Sequence, residues 1–297
     1  MPSLRRFNSR EFLGATAAAA GAGTGGLVQI SGAPQKSAAK ARYTSPAGNV
    51  IPFTRSELYA PSSVRIFEGP HLSEIAFPLG GIGTGTLSLG GRGNLRDWEV
   101  FNRPNKGGTL PFSFVALWVK EGEGKPVTEV VEAPVPPPYR GSFGVPRESA
   151  EGLPRFRGAR FIGSYPMARI EFADPSLPLD VSLDAFTPFI PLEADDSGLP
   201  VAILRYTLKS RSKQPIRASL AFSLENPIGY DGVSRIPTKN DPTFGKNLSE
   251  FAQGSGFKGL KLTSSKYSAD DPRFGSMALV TPADTTSHLL RWSGGEW

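Results

Sequence analysis

The chain has no cysteine among its 297 residues. That excludes disulfides, thiolate metal sites and a cysteine nucleophile; an oxidising compartment is permitted but not indicated. Histidine is nearly absent, with only His71 and His288. A Ser-His-Asp triad would have to use one of them. His71 sits in the turn composition Gly69-Pro70-His71-Leu72, and no serine elbow of the G-x-S-x-G type is nearby, so a surface or capping role fits both histidines. Metal binding by a histidine cluster is unsupported. No Gly-Lys-Ser/Thr occurs, which excludes a P-loop. No apolar stripe of 3.6-residue period is long enough to be read as a helix, and 28 prolines and 34 glycines make long helices scarce.

A strong excess of one charge is also lacking once the first residues are set aside. The chain has 33 Lys+Arg and 27 Asp+Glu. Residues 1–41 contribute Arg5, Arg6, Arg10, Lys36 and Lys40 against Glu11, which leaves 28 against 26. No nucleic-acid partner follows from so even a balance. Those first residues read as an export signal. A basic start leads into Phe12-Leu13-Gly14-Ala15-Thr16 and an Ala/Gly run, with Ala39-Lys40-Ala41 as a cleavage site and Ser31-Gly32-Ala33 as an alternative. Ser9-Arg10-Glu11-Phe12-Leu13 resembles the twin-arginine pattern with one arginine missing, and the low hydrophobicity suits that route. The expected location is therefore the periplasm or the exterior of a bacterium. The segment is too glycine-rich and polar for a stable membrane span. Residues 42–62 are polar and proline-punctuated and read as a linker, leaving 63–297 as the folded domain.

What is abundant is glycine, and its densest run is the most informative feature. Six glycines fall between Gly80 and Gly91 in Phe77-Pro78-Leu79-Gly80-Gly81-Ile82-Gly83-Thr84-Gly85-Thr86-Leu87-Ser88-Leu89-Gly90-Gly91. A dinucleotide fingerprint needs G-x-G-x-x-G between a strand and a helix. Here the spacing is wrong, and residues 84–89 alternate apolar with small polar side chains, which is strand periodicity. Glycine within strand-like sequence marks a bulge, a tight bend or the close approach of another backbone. The run is read as a sharply bent pair of strands packed against something, and no cofactor is expected.

Short strand-like runs recur at 64–67, 84–89, 98–101, 112–119, 128–132, 167–172, 179–186, 201–208, 216–224, 276–280 and 287–292. Turn residues separate them, and the pattern predicts an all-β fold, an antiparallel β-sandwich. In 216–223 the residues Ile216, Ala218, Leu220 and Phe222 share one face, expected to be buried. Arg217, Ser219, Ala221 and Ser223 share the other, expected to be wet. Residues 201–208 are more continuously apolar and predict a more central strand. Residues 134–158 and 231–258 read as long polar excursions.

Carboxylates are the remaining catalytic resource, and glycoside hydrolysis uses two of them. Asp97 and Glu99 would share one face of an extended strand. Asp195-Asp196-Ser197-Gly198 and Asp270-Asp271-Pro272 have turn compositions, in which such side chains commonly bond their own backbone. Asp97 is the least ordinary, because Arg92, Arg96, Trp98 and Arg103 crowd it. That mixture suits a sugar or a domain interface, and equally a solvated strand edge.

Several motifs, taken in order, resemble a known family. They are Phe77-Pro78-Leu79-Gly80-Gly81-Ile82-Gly83-Thr84-Gly85-Thr86, Gly91-Arg92-Gly93-Asn94-Leu95-Arg96-Asp97-Trp98, Tyr165-Pro166-Met167-Ala168-Arg169-Ile170-Glu171-Phe172, Thr187-Pro188-Phe189-Ile190-Pro191 and Asp196-Ser197-Gly198-Leu199-Pro200-Val201-Ala202. Together they resemble the N-terminal domain of glycoside hydrolase family 116, which includes non-lysosomal glucosylceramidase (bile-acid β-glucosidase) and microbial β-glucosidases and β-xylosidases. The resemblance implies a β-sandwich packed on a C-terminal (α/α)6 barrel that carries the nucleophile Glu and the acid/base Asp. No catalytic residue of the family transfers to a position in this sequence. The resemblance further implies a sandwich truncated before its last strands, as in a fragment or split gene. Three expectations result. The first is an accessory domain of a β-glycosidase, inactive alone, whose partner is the barrel and through it a β-glucoside or other carbohydrate. Gly81, Gly83, Arg92, Arg96, Asp97, Trp98 and Arg103 would then be the domain-interface or sugar-side residues. The second is a free carbohydrate-binding or scaffolding sandwich. The third is a self-contained hydrolase using Asp97 or Glu99.

Overall fold

The computed structural model describes residues 64–100, 104–137, 150–230 and 245–292, with short pieces at 43–44, 50–51 and 56. The chain divides into two compact units, Met1–Ser63 and Val64–Trp297. Within the first, β1 (Tyr43–Thr44) pairs antiparallel with β2 (Val50–Ile51), in the stretch read as a linker. The export signal and Arg103 lie outside the described residues.

The second unit is built from antiparallel strands. Its largest sheet has five: β3 (Arg65–Glu68), β9 (Gly158–Ser164), β10 (Met167–Ala173), β11 (Leu179–Phe186) and β12 (Ile203–Ser210), in the order β12-β11-β10-β9-β3. A second sheet has the order β13-β7-β8, from Ile216–Ser223, Phe114–Glu121 and Val127–Val130. Two further three-stranded meanders complete the unit. One is β4 (Ala76–Leu79), β5 (Thr86–Gly90) and β6 (Leu95–Glu99). The other is β14 (Asn247–Gly254), β15 (Phe257–Ser264) and β16 (Met277–Thr281). In the described residues of the second unit, helix is confined to short 3-10 turns and one α turn, α1 (Ala194–Ser197). No described helix is long and apolar enough to cross a membrane.

The sandwich forms because the period of two sorts side chains to opposite faces. Register places Phe161, Ile170, Leu183 and Tyr206 side by side across β9 to β12. This row faces inward and shares one core with Val115, Leu117 and Val119 of β7 and with Leu79, Leu89 and Trp98 of the glycine-rich meander. The opposite face of the same strands is charged. Arg169, Asp184 and Arg205 are cross-strand neighbours there, and the Asp184 carboxylate is bonded by both guanidiniums at 3.0 and 3.1 Å.

Four sequence expectations need correction. Residues 201–208 were expected to be central, yet β12 is the edge strand of its sheet. Its apolar continuity comes from Leu204, Tyr206 and Leu208 packing on the core while Arg205 pairs with Asp184. The alternation expected for β13 holds only in part. Ile216 and Phe222 pack on the core, but Ala218 is exposed, and Ser223, expected to be wet, is buried, its hydroxyl bonded to the Phe112 carbonyl and the Trp292 indole. Leu220 is also 39 % exposed; among the described strands β13 pairs with β7 alone, at the edge of its sheet. The excursion expected over 231–258 contains β14, joined to β15 by a tight turn at Gly256, whose φ is +81°. Finally, 287–292 is not a strand. Its adjacent leucines, Leu289 and Leu290, do not alternate and are exposed. The segment is held by Trp292, edge-on to Phe112 and Phe114, with its indole N–H donating to the Ser223 hydroxyl at 3.0 Å.

Candidate functional site

The glycine run forms the connection between β4 and β5, and β5 follows it where a phosphate loop would need a helix. It is packed against residues 187–201. The Ile82 N–H donates to the Ser197 carbonyl at 2.9 Å. The Thr187 hydroxyl lies between the carbonyls of Gly80 (2.7 Å) and Val201 (3.0 Å). A Cβ at Gly81 would sit 2.4 Å from the Gly198 carbonyl oxygen and 2.4 Å from the Thr84 hydroxyl, so only glycine admits this approach. Gly83 is glycine for a different reason: its φ is +76°, with open space around it.

The 187–201 loop is itself closed. The Ile190 N–H donates to the Ser197 Oγ at 3.0 Å, and the same hydroxyl donates back to the Ile190 carbonyl at 3.0 Å. Phe189 lies edge-on to Tyr165 at 5.4 Å, and Tyr165 reaches Phe77 at 6.1 Å. Four motifs that are far apart in sequence, at 77–86, 165–172, 187–191 and 196–202, thus meet at one end of the sandwich. The surface they build is apolar, with Ile82 55 % exposed and Tyr165, Leu199 and Val201 each more than a third exposed. Leu192, on the same loop, is fully exposed.

The fifth motif forms a separate cluster. Asp97 is a bulge residue. Register along β5 and β6 shifts between Thr86 and Ser88, and Asp97 takes a φ of +53°. The bulge breaks the alternation that would have put Asp97 and Glu99 on one face. Asp97 is 2 % exposed. Its Oδ1 accepts the Gly107 N–H at 2.5 Å, and its own N–H donates to the Gly108 carbonyl at 2.7 Å. Glu99 accepts from Lys106 Nζ at 2.7 Å and from the Asn105 N–H at 3.0 Å. Both carboxylates therefore fasten the 105–108 turn to β6. Burial pushes the Asp97 carboxyl up, but bonds from Gly107 and Ser88 and the charge of Arg96 bring it below its ordinary value. The Lys106 bond and the Asn105 N–H hold Glu99 below its ordinary value as well. A general acid needs the opposite shift.

Arg92 belongs to a half-buried ion cluster. Glu132, 4 % exposed, is bonded by Arg92 and, at 3.2 Å, by Arg155. Arg96 lies 3.5 Å from Asp97. Trp98 is 3 % exposed and part of the core. Arg92 and Arg96 meet only at a shallow cleft of about 130 Å³, which they line with Asn94, Leu72, Ile75 and Pro136. Of the sequence-derived residues, Gly81 and Gly83 thus lie at the apolar end, Arg92 and Arg96 border the cleft, and Asp97 and Trp98 face the interior.

Sequence reasoning missed Glu225. Burial raises this carboxyl to about 7, against the pull of the Phe112 N–H, and one of its oxygens is buried without a hydrogen-bond partner. It lies two residues past the end of β13 in a stretch with no motif, so no local signal marks it. No group of three or more metal-binding side chains occurs among the described residues.

A family model described as beta-glucosidase 2, glycosyl-hydrolase family 116 N-terminal, matches residues 76–295. The match covers every strand from β4 to β16, and with it the apolar end and the Asp97 cluster. The chain belongs to this family, as an N-terminal domain of glycosyl-hydrolase family 116.

Proposed function

We propose that this chain is the accessory, non-catalytic domain of an exported β-glycosidase of the β-glucosidase or glucosylceramidase type. Its task is to pack on and support an (α/α)6 catalytic barrel carried on another polypeptide segment. One observation carries this reading. Four of the five motifs that resemble the family build a buttressed, exposed apolar surface, whereas the carboxylates Asp97 and Glu99 are spent on holding a turn. A retaining glycosidase needs two carboxyl groups about 5 Å apart with one pKa raised. Asp97 and Glu99 are both shifted down. The purified chain is expected to show no hydrolysis of aryl β-glucosides above background. Turnover that disappears in Asp97→Asn or Glu99→Gln would overturn this reading in favour of a self-contained hydrolase.

The cleft bordered by Arg92, Asn94 and Arg96 favours a second reading, a free carbohydrate-binding sandwich. Its polar side chains suit sugar hydroxyls, and Leu72 and Ile75 suit the C–H face of a sugar ring. Calorimetric titration with β-glucosides separates the two. Saturable binding lost in Arg96→Ala supports the second reading, and no binding at millimolar sugar supports the accessory domain.

A further inference from the structure

Leu192 breaks two local rules at once. Ile190, Pro191, Leu192 and Glu193 form a turn in which the Glu193 N–H donates to the Ile190 carbonyl at 3.0 Å, and Leu192 takes a φ of +71°. Proline at the second position and positive φ at the third are the marks of a type II turn, where glycine or asparagine belongs at the third. A leucine there is strained, because its Cβ crowds the backbone in the left-handed region. It is also 104 % exposed, so no burial offsets the strain. Strained residues cluster at ligand clamps and switch regions, and apolar patches rimmed by polar residues mark interaction sites.

The tip is not a loose loop. Ser197 closes it through Ile190, and Thr187 and the Ile82–Ser197 bond seat it on the glycine-rich connection. Exposed Ile82, Leu199 and Val201 lie on the same pair of loops. The charge is one-sided. Residues 187–201 contain Glu193, Asp195 and Asp196 and no Lys, Arg or His, whereas residues 42–297 as a whole are nearly balanced, with 28 Lys+Arg against 26 Asp+Glu. None of the three is in an ion pair among the described residues. The glycine-rich loop beside them is uncharged.

We infer that Leu192 is an anchor that inserts into an apolar socket with a basic rim on the catalytic domain, with Ile82 and Leu199 flanking it. The inference rests on the accessory-domain reading. Charge complementarity selects the occupant. A second copy meeting this face across a two-fold axis would bring its own acidic rim against this one, and an anionic lipid surface would repel it. A sugar gains little from an unfunctionalised aliphatic tip, whereas a protein socket desolvates it fully.

The test uses the full chain and a separately expressed family-116 catalytic domain, with affinity measured at low and high salt. Wild type is expected to bind, more weakly as salt rises. Leu192→Gly is expected to weaken binding at least about tenfold while its melting temperature holds or rises by about 2–4 °C, since glycine relieves the turn. The double reversal E193K/D195K is expected to weaken binding comparably and to remove the salt dependence. If wild type and Leu192→Gly bind equally, the anchor is wrong while the accessory reading stands. If wild type does not bind at all, the accessory reading fails and the anchor with it. A lowered melting temperature for Leu192→Gly refutes the strain argument. Self-association of the wild type that Leu192→Gly abolishes overturns the choice of partner in favour of a second copy.

Discussion

Replacing Gly81 by alanine probes the junction that assembles the apolar end. The added methyl group would lie 2.4 Å from the Gly198 carbonyl oxygen and 2.6 Å from its carbon. Those are backbone atoms following α1, so the neighbour cannot rotate out of the way. The two loops must part, and the 2.9 Å bond from Ile82 to Ser197 is the first to stretch. Overpacking of this kind costs about 1–3 kcal/mol, and a lost backbone hydrogen bond adds about 1 kcal/mol. We expect Gly81→Ala to lose about 2–4 kcal/mol in urea unfolding followed by tryptophan fluorescence. Gly83→Ala is the internal control. Nothing lies within 4 Å of the added carbon there, and only the φ of +76° opposes it, a cost of about 1–2 kcal/mol. The φ of Gly81 is outside the left-handed range, so its penalty is one of contact alone. Equal unfolding midpoints for Gly81→Ala and wild type would refute the close-approach argument.

Leu183 is fully buried at the centre of the inward row, and Leu183→Ala is expected to cost about 2–5 kcal/mol by urea denaturation. Asp97→Asn keeps a residue tolerant of positive φ but removes the charge that holds the 105–108 turn, for a loss of about 1–3 kcal/mol at neutral pH. Because the Asp97 carboxyl is shifted down, its contribution is present above the unfolded value of 3.8 and vanishes as pH falls through the folded value; the gap between variant and wild type should close below that pH. Glu225 behaves in the opposite sense. With its carboxyl raised from 4.5 to about 7, the folded chain holds that proton more tightly than the unfolded one, so stability should decline as pH rises from about 4.5 through 7. Glu225→Gln should flatten that decline, a difference of about 3 kcal/mol at pH 8 by thermal or urea melts.

The sequence made the sandwich legible because alternation is a local signal. Strands such as Leu179–Phe186 and Phe114–Glu121 carry it in their own side chains. What escaped depends on partners far along the chain. Whether β12 is central or an edge is decided by what lies beside it, and its run of apolar residues is equally compatible with both. Asn247–Gly254 is polar enough to read as a loop and is a strand because β15 pairs with it. At the candidate site, the glycine run was readable as a close approach, but its target, the Gly198 carbonyl, lies more than a hundred residues away. The Asp97–Glu99 pairing failed on a bulge, which one extra residue in β6 creates and alternation cannot show. Leu192 was invisible for another reason: a leucine after a proline is unremarkable until its φ and exposure are known.

The central claim is that this domain lends its surface to a catalytic barrel and does no chemistry of its own. The most direct measurement is aryl β-glucoside hydrolysis by a separately expressed family-116 catalytic domain, titrated with this chain. Activity or thermal resistance of the barrel is expected to rise and saturate at one chain per barrel, with the chain alone inactive. Hydrolysis rates and inactivation half-lives that stay unchanged at every molar ratio would contradict it.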